Sequence, residues 1–252
     1  MKQENLSRTI LWLAFFSIAM GYLETAVVVY IRKLYYPGGF DFPLVPISKD
    51  IAITEVWREV ATMVMLAGIG ILVGKNRQQR FAFFIFCFAI WDIFYYVFLY
   101  VLLGWPKSLL TWDVLFLIPV PWVGPVLAPC LVSLTMIGLA FAIVYAQKKG
   151  FSGKRNKTEH WIMIAGCTII LVSFMWDYVS FVYAHHQDKG PWSYGLHKDL
   201  FSEAEGYVPT KFNWWLYVPG QLLQSGGVLL FFLRTKKASV NAIQEENSVV
   251  AG

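Results

Sequence analysis

The chain has 252 residues, a formal net charge of +5 and only 15% charged side chains, against 57% hydrophobic and 17% aromatic. A soluble domain carries about 25% charge. With a mean hydropathy of +0.53, this balance excludes an ordinary soluble enzyme and points to an integral membrane protein. The positive charge is not a nucleic-acid footprint, because the basic residues lie in short segments between apolar runs, where they set orientation.

Runs long enough to cross a bilayer, about 20 residues each, are expected at 9–31, 53–73, 81–103, 122–146, 161–184 and 212–233. The first is too long for the apolar core of a signal peptide and contains Glu24, so it reads as a retained span. Placing the N-terminus inside puts 13 Lys and Arg residues in inner segments and 7 in outer ones, with Arg58 left within a span. The positive-inside rule then makes both termini cytoplasmic. In a bacterial inner, or plasma, membrane the opposite face is periplasmic. The fold class expected is all-α: a polytopic integral membrane protein with six transmembrane helices. One membrane domain covers 1–237, and a polar tail, 238–252, is expected to be disordered.

The stretch 109–146 is too long for one span and too short for two with a loop. It carries Pro119, Pro121, Pro125 and Pro129, each lacking a backbone donor and breaking regular helix. Residues 109–121 therefore read as a Pro-rich broken or re-entrant segment before the fourth span, since irregular backbone at membrane depth survives only against protein or a wet cavity. A full crossing here would give seven spans and move the basic 148–157 loop outside, against the charge rule. The three cysteines, Cys87, Cys130 and Cys167, each fall inside an expected span, which argues against a disulfide framework.

Seven charged residues lie within or at the lip of the apolar runs: Glu24, Glu55, Arg58, Glu59, Asp92, Asp113 and Asp177. Each such charge costs about 2.5–3.5 kcal/mol on insertion. With the N-terminus inside, nearly all map to the outer half of the membrane. Glu55 and Glu59 share a helix face; Arg58 lies three from Glu55 and adjacent in sequence to Glu59. The structural alternative for these three is a fixed ion pair holding the second span in register. For Asp92 and Asp177 it is a hydrogen bond between helices. Six acids and one arginine do not neutralise by pairing. Burial and like charge both raise carboxyl pKa values, so at least one acid is expected to hold its proton and to act as a donor beside an ionised base. Asp92 and Glu59 are the acid/base candidates, with Glu24 and Asp177 tuning them. Glu55, Arg58, Asp113, Trp112, Tyr95 and Tyr96 are the expected substrate-binding residues; the two tyrosines sit one turn from Asp92, too deep for an interfacial aromatic belt.

The alternative balance is a bound divalent metal, to which His185 and His186 could add nitrogen donors, but no HxxxH or HExxH spacing selects a metal and the His pair reads first as a solvated loop. No cofactor motif is present: there is no nucleotide-binding loop, and the four histidines, all in or beside loops, give no haem ligation within the membrane. Acids ringed by aromatic faces suit carbocation chemistry on a hydrophobic isoprenoid or sterol, where rings shield a cation.

Trp91-Asp92, then Gly104-Trp105, then Asp113 leading through Val-Leu-Phe-Leu-Ile to Pro119 resembles the small membrane-type lycopene cyclases of carotenoid synthesis. Trp176-Asp177 with Gly190, Trp192 and Tyr194 echoes the same pattern. The resemblance covers about forty residues plus that echo. Those cyclases carry an adjacent acid pair where this chain has Asp113 alone, and their Trp-Asp to Gly-Trp spacing is shorter. A fainter similarity is to sterol-isomerase-type membrane proteins, which place an acid in each early span, as Glu24, Glu55 or Glu59, and Asp92 do here. Both resemblances imply a membrane isomerase or cyclase that binds or rearranges a lipid or isoprenoid by acid/base chemistry. Two rival classes remain at this level. One is a proton- or cation-coupled transporter gated at the Pro-rich segment, with a homo-oligomer completing the path. The other is a non-catalytic assembly partner, with Gly68, Gly70, Gly226 and Gly227 at close helix contacts.

Overall fold

The computed structural model describes residues 3–185 and 206–251. Among them are six helices: α1 (Gln3–Tyr35), α2 (Lys49–Val73), α3 (Arg77–Leu103), α4 (Leu127–Lys148), α5 (Lys157–His185) and α6 (Trp214–Ala251). Each is long and apolar enough to cross a membrane. A short antiparallel hairpin, β1 (Trp112–Phe116) and β2 (Trp122–Pro125), separates α3 from α4.

The helix bounds follow local chemistry. Asn76 caps α3, its side chain accepting from the Gln79 N–H at 3.0 Å. Gly104 ends that helix in the left-handed conformation, φ 63°. The link between α2 and α3 is therefore only Gly74, Lys75 and Asn76. α6 does not stop at 237: residues expected as a disordered tail continue as helix to Ala251, in keeping with their Ala, Gln and Glu content.

The Pro-rich stretch forms a hairpin, and α4 starts at Leu127 rather than at 122. Trp112, Val114, Phe116, Trp122 and Val123 are aromatic or β-branched and suit strands. Pro119 and Pro121 fall in the turn, where no ladder donor is needed, and Pro125 closes the last strand pair, opposite Trp112. Pro129 sits in the first turn of α4, where its missing N–H costs no helical bond.

α3 is the central helix and packs against α1, α2 and α4, while α5 and α6 pair along their length and join the rest through α6 on α4 and α5 on β2. The largest apolar cluster, around Leu13, Leu66, Phe83, Cys87 and Ile143, fills the end of the bundle away from the hairpin. Polar ties close that end: Gln147 donates to Asn76 at 2.9 Å, and Arg234 donates to Glu159 at 2.6 Å. Of the four glycines expected at close contacts, two are there. A Cβ on Gly70 would lie 2.8 Å from Arg80 O, and one on Gly227 would lie 2.7 Å from Met163, whereas Gly68 and Gly226 face open space. A further close crossing, Gly166 against Gly220 between α5 and α6, was not among those expected.

Candidate functional site

At the hairpin end, α1, α2, α3, the α1–α2 loop and the hairpin enclose a cavity of about 190 Å³. This exceeds what a few waters need and falls below the roughly 300–1,000 Å³ of clefts that swallow a whole drug-sized ligand. It suits the polar end of an amphiphile. Helical periodicity brings the side chains together. Glu24, Val28, Ile31 and Arg32 form one face of α1; Glu55, Arg58 and Glu59 form one face of α2; Trp91, Asp92, Tyr95 and Tyr96 form one face of α3. Val114, Leu115, Phe116 and Leu117 of the hairpin add apolar wall beside Asp113.

Four polar sub-arrangements divide the charges. Arg58 bridges two helices, hydrogen-bonding Glu24 of α1 and donating to Glu55 of its own helix at 2.6 Å, while Thr62 donates to Glu24 at 3.3 Å. Glu59 accepts from the Leu117 backbone N–H at 3.0 Å, which ties α2 to the hairpin. Asp92 accepts from the Ser133 hydroxyl of α4 at 2.8 Å. On the other wall, Arg32 donates to Asp113 at 2.8 Å, and its guanidinium carbon lies 3.8 Å from the Trp105 ring centre and 4.2 Å from that of Phe40. Such cation–π contacts gain strength when desolvated. Burial pushes the Asp113 carboxyl up to about 6, against the pull of Arg32. Burial likewise raises the Tyr36 phenol, whose oxygen accepts from the Val45 N–H at 2.9 Å.

The cavity therefore gathers five carboxyl groups and two guanidinium groups. Of the residues expected at the site, Glu24, Glu55, Arg58, Glu59, Asp92, Tyr95, Tyr96 and Asp113 line it. Two do not. Trp112 packs on Phe212, ring centres 6.0 Å apart, because alternation along β1 turns it away from its neighbour Asp113. Asp177 anchors the segment before α6 instead: Tyr207 Oη donates to it at 2.6 Å and Thr210 Oγ1 at 2.9 Å. Burial and that carboxylate together keep the Tyr207 phenol protonated well above its ordinary range. The Trp-Asp pairs are thus not equivalent, since Trp91 is buried and Trp176 exposed.

Arg32 is the residue that sequence reasoning missed. It closes the first span beside Lys33 and reads as an orientation charge. The available signal was its place on the helical face of Glu24, two turns on. Among the described residues, no three His, Cys, Asp or Glu side chains converge as metal ligands would; His186 and the His185 side chain lie outside the described residues, as do Gly190, Trp192 and Tyr194.

Fold and cavity together define a class: a bundle of six membrane-length helices with an ion-paired, aromatic-walled cavity at one end. No protein-family model matches the chain, and no curated protein or solved structure matches it.

Proposed function

We propose that this chain is an integral membrane protein that binds a hydrophobic lipid or isoprenoid at the hairpin-end cavity and rearranges it by acid/base chemistry, as a membrane isomerase or cyclase does. One observation carries the reading: five carboxyls and two arginines converge on a single apolar and aromatic-walled cavity from three helices and a hairpin. Charged groups in membrane-length helices are costly to maintain and mark function when they gather. The excess of lysine and arginine in the segments at the opposite end supports cytoplasmic termini and a cavity facing outward, periplasmic in a bacterial inner membrane. The hairpin then sits at the outer lip as the re-entrant element.

Roles divide by partner. Glu24 and Glu55 are engaged by Arg58, so these three hold α1 against α2 and set the local field. Glu59 and Asp92 are the acid and base, each with a single kind of tether, a backbone N–H for Glu59 and the Ser133 hydroxyl for Asp92. Tyr95 and Tyr96 supply the aromatic wall between them. Asp177 takes no part in this scheme.

The test begins with mass spectrometry of lipid retained by the protein purified gently in detergent, followed by turnover of that lipid in reconstituted vesicles. Glu59→Gln and Asp92→Asn are each expected to lower conversion by about 10²–10⁴-fold, the usual contribution of a positioned acid or base, at unchanged yield of folded protein. Full conversion by both variants would refute the assignment.

A further inference from the structure

The Arg32–Asp113 pair is incomplete as a hydrogen-bonding unit. Nη2 of Arg32 donates to Oδ1 of Asp113, yet among the described residues Arg32 Nη1 and Asp113 Oδ2 are both buried with no partner in hydrogen-bonding geometry, although the Tyr96 side chain and the Val114 backbone stand close to the carboxyl. The residues are 6% and 1% exposed, and both line the cavity. Trp91 Nε1, on the same lining, is a third buried group without a partner among the described residues. A buried donor and acceptor are costly to leave unmatched, the more so when both belong to charged groups.

The unmatched atoms specify what would fill them. The ion pair is neutral as a unit and offers one N–H donor beside one carboxylate acceptor. An anion would be drawn to Nη1 and repelled by Oδ2, and a cation would meet the reverse. The surplus of carboxyls around the cavity turns anions away further. An uncharged group that both accepts and donates satisfies the pair, and a hydroxyl does so with one oxygen. The nearby wall of Val28, Ile31, Leu44, Leu115 and Phe116 is apolar.

The geometry points to a hydroxyl-recognition subsite at Arg32 and Asp113 for an uncharged amphiphile with a terminal alcohol. Its oxygen accepts from Arg32 Nη1, its hydrogen is donated to Asp113 Oδ2, and its hydrocarbon lies along the apolar wall. This rests on the lipid-binding reading above and names the chemical class of the ligand.

Farnesol, farnesyl methyl ether and farnesyl phosphate, offered to the full chain at matched mole fraction in detergent micelles and followed by native mass spectrometry, test it. The ether accepts a hydrogen bond but donates none, so it leaves Oδ2 unmatched. Farnesol is expected to be retained about tenfold to a hundredfold better than the ether, the range for a hydrogen bond to a charged group, and better than the phosphate. In Asp113→Asn, whose amide can itself donate to an ether oxygen, the preference for alcohol over ether should narrow toward one. Equal retention of alcohol and ether by the unaltered protein would overturn the subsite while leaving lipid binding intact. Preferred retention of the phosphate would overturn it as well. Retention of none of the three would overturn both the subsite and the lipid-binding reading. The comparison on the unaltered protein does not depend on the variant folding.

Discussion

Arg32 and Asp113 lie 81 positions apart in sequence and meet as a buried ion pair that fastens the hairpin to α1. The Asp113 carboxyl, raised from an ordinary 3.8 to about 6, binds its proton more tightly in the folded chain than in the unfolded one. The sign follows from linkage: this group's contribution to stability is full below its unfolded value and is lost as the pH rises through about 6. Going from pH 7 to pH 5 should therefore move the stability difference between the unaltered protein and Asp113→Asn in favour of the unaltered protein, by on the order of 1 kcal/mol. Thermal unfolding of both in the same detergent at the two pH values measures it. A difference that stays flat, or moves the other way, would show that Arg32 outweighs burial. At this scale the sequence made most of the site legible, because a charge inside an apolar run is visible without a structure. Arg32 escaped since a cation at a span end has a sufficient explanation in orientation. Asp177 was grouped with the cavity because depth in the membrane can be read from a sequence, whereas the side of the helix facing a given neighbour cannot.

The helices were legible as elements, since runs of about 20 apolar residues have few other uses. The hairpin was only half so. Pro119, Pro121 and Pro125 argued against regular helix between Leu117 and Pro125, but the pairing of Asp113 with Gly124 and of Val114 with Val123 depends on partners that a linear reading does not rank. Helix contacts depend on which glycine face meets a neighbour. A Cβ on Gly166 would stand 2.7 Å from both Gly220 O and Gln224 N. These are backbone atoms, so no side-chain rotation relieves the clash. Gly166→Ala is expected to separate α5 from α6 and to destabilise the protein by about 1–3 kcal/mol, the range for overpacking. Gly68→Ala, with nothing within 4 Å of the new methyl group, should be neutral or stabilising by up to about 1 kcal/mol from helix propensity. Unfolding midpoints of the two variants separate these outcomes; similar losses in both would contradict the α5–α6 packing.

On the scale of the whole molecule, the hairpin decides how many membrane-length segments the chain offers to a bilayer. Its backbone pairs with itself, and β1 and β2 run antiparallel, so 112–125 leaves and returns at the same end of the bundle. Five connections then alternate between the two ends, and the two chain ends share a side. In a background lacking Cys87, Cys130 and Cys167, single cysteines at Asp41 and Ser108 should react with a membrane-impermeant maleimide on intact cells. Cysteines at Lys75 and Lys154 should react only after permeabilisation. All four positions are exposed, so failure to label reports sidedness rather than burial. Had the Pro-rich stretch crossed the membrane, Lys154 would label with Asp41 and the basic segment between α4 and α5 would face outward. Labelling of Lys154 on intact cells would therefore reject the six-span arrangement. It would also move the Glu159–Arg234 pair to the same side as the Arg32–Asp113 cavity, and with it the ordering of charge across the bundle on which an outward-facing acidic site depends.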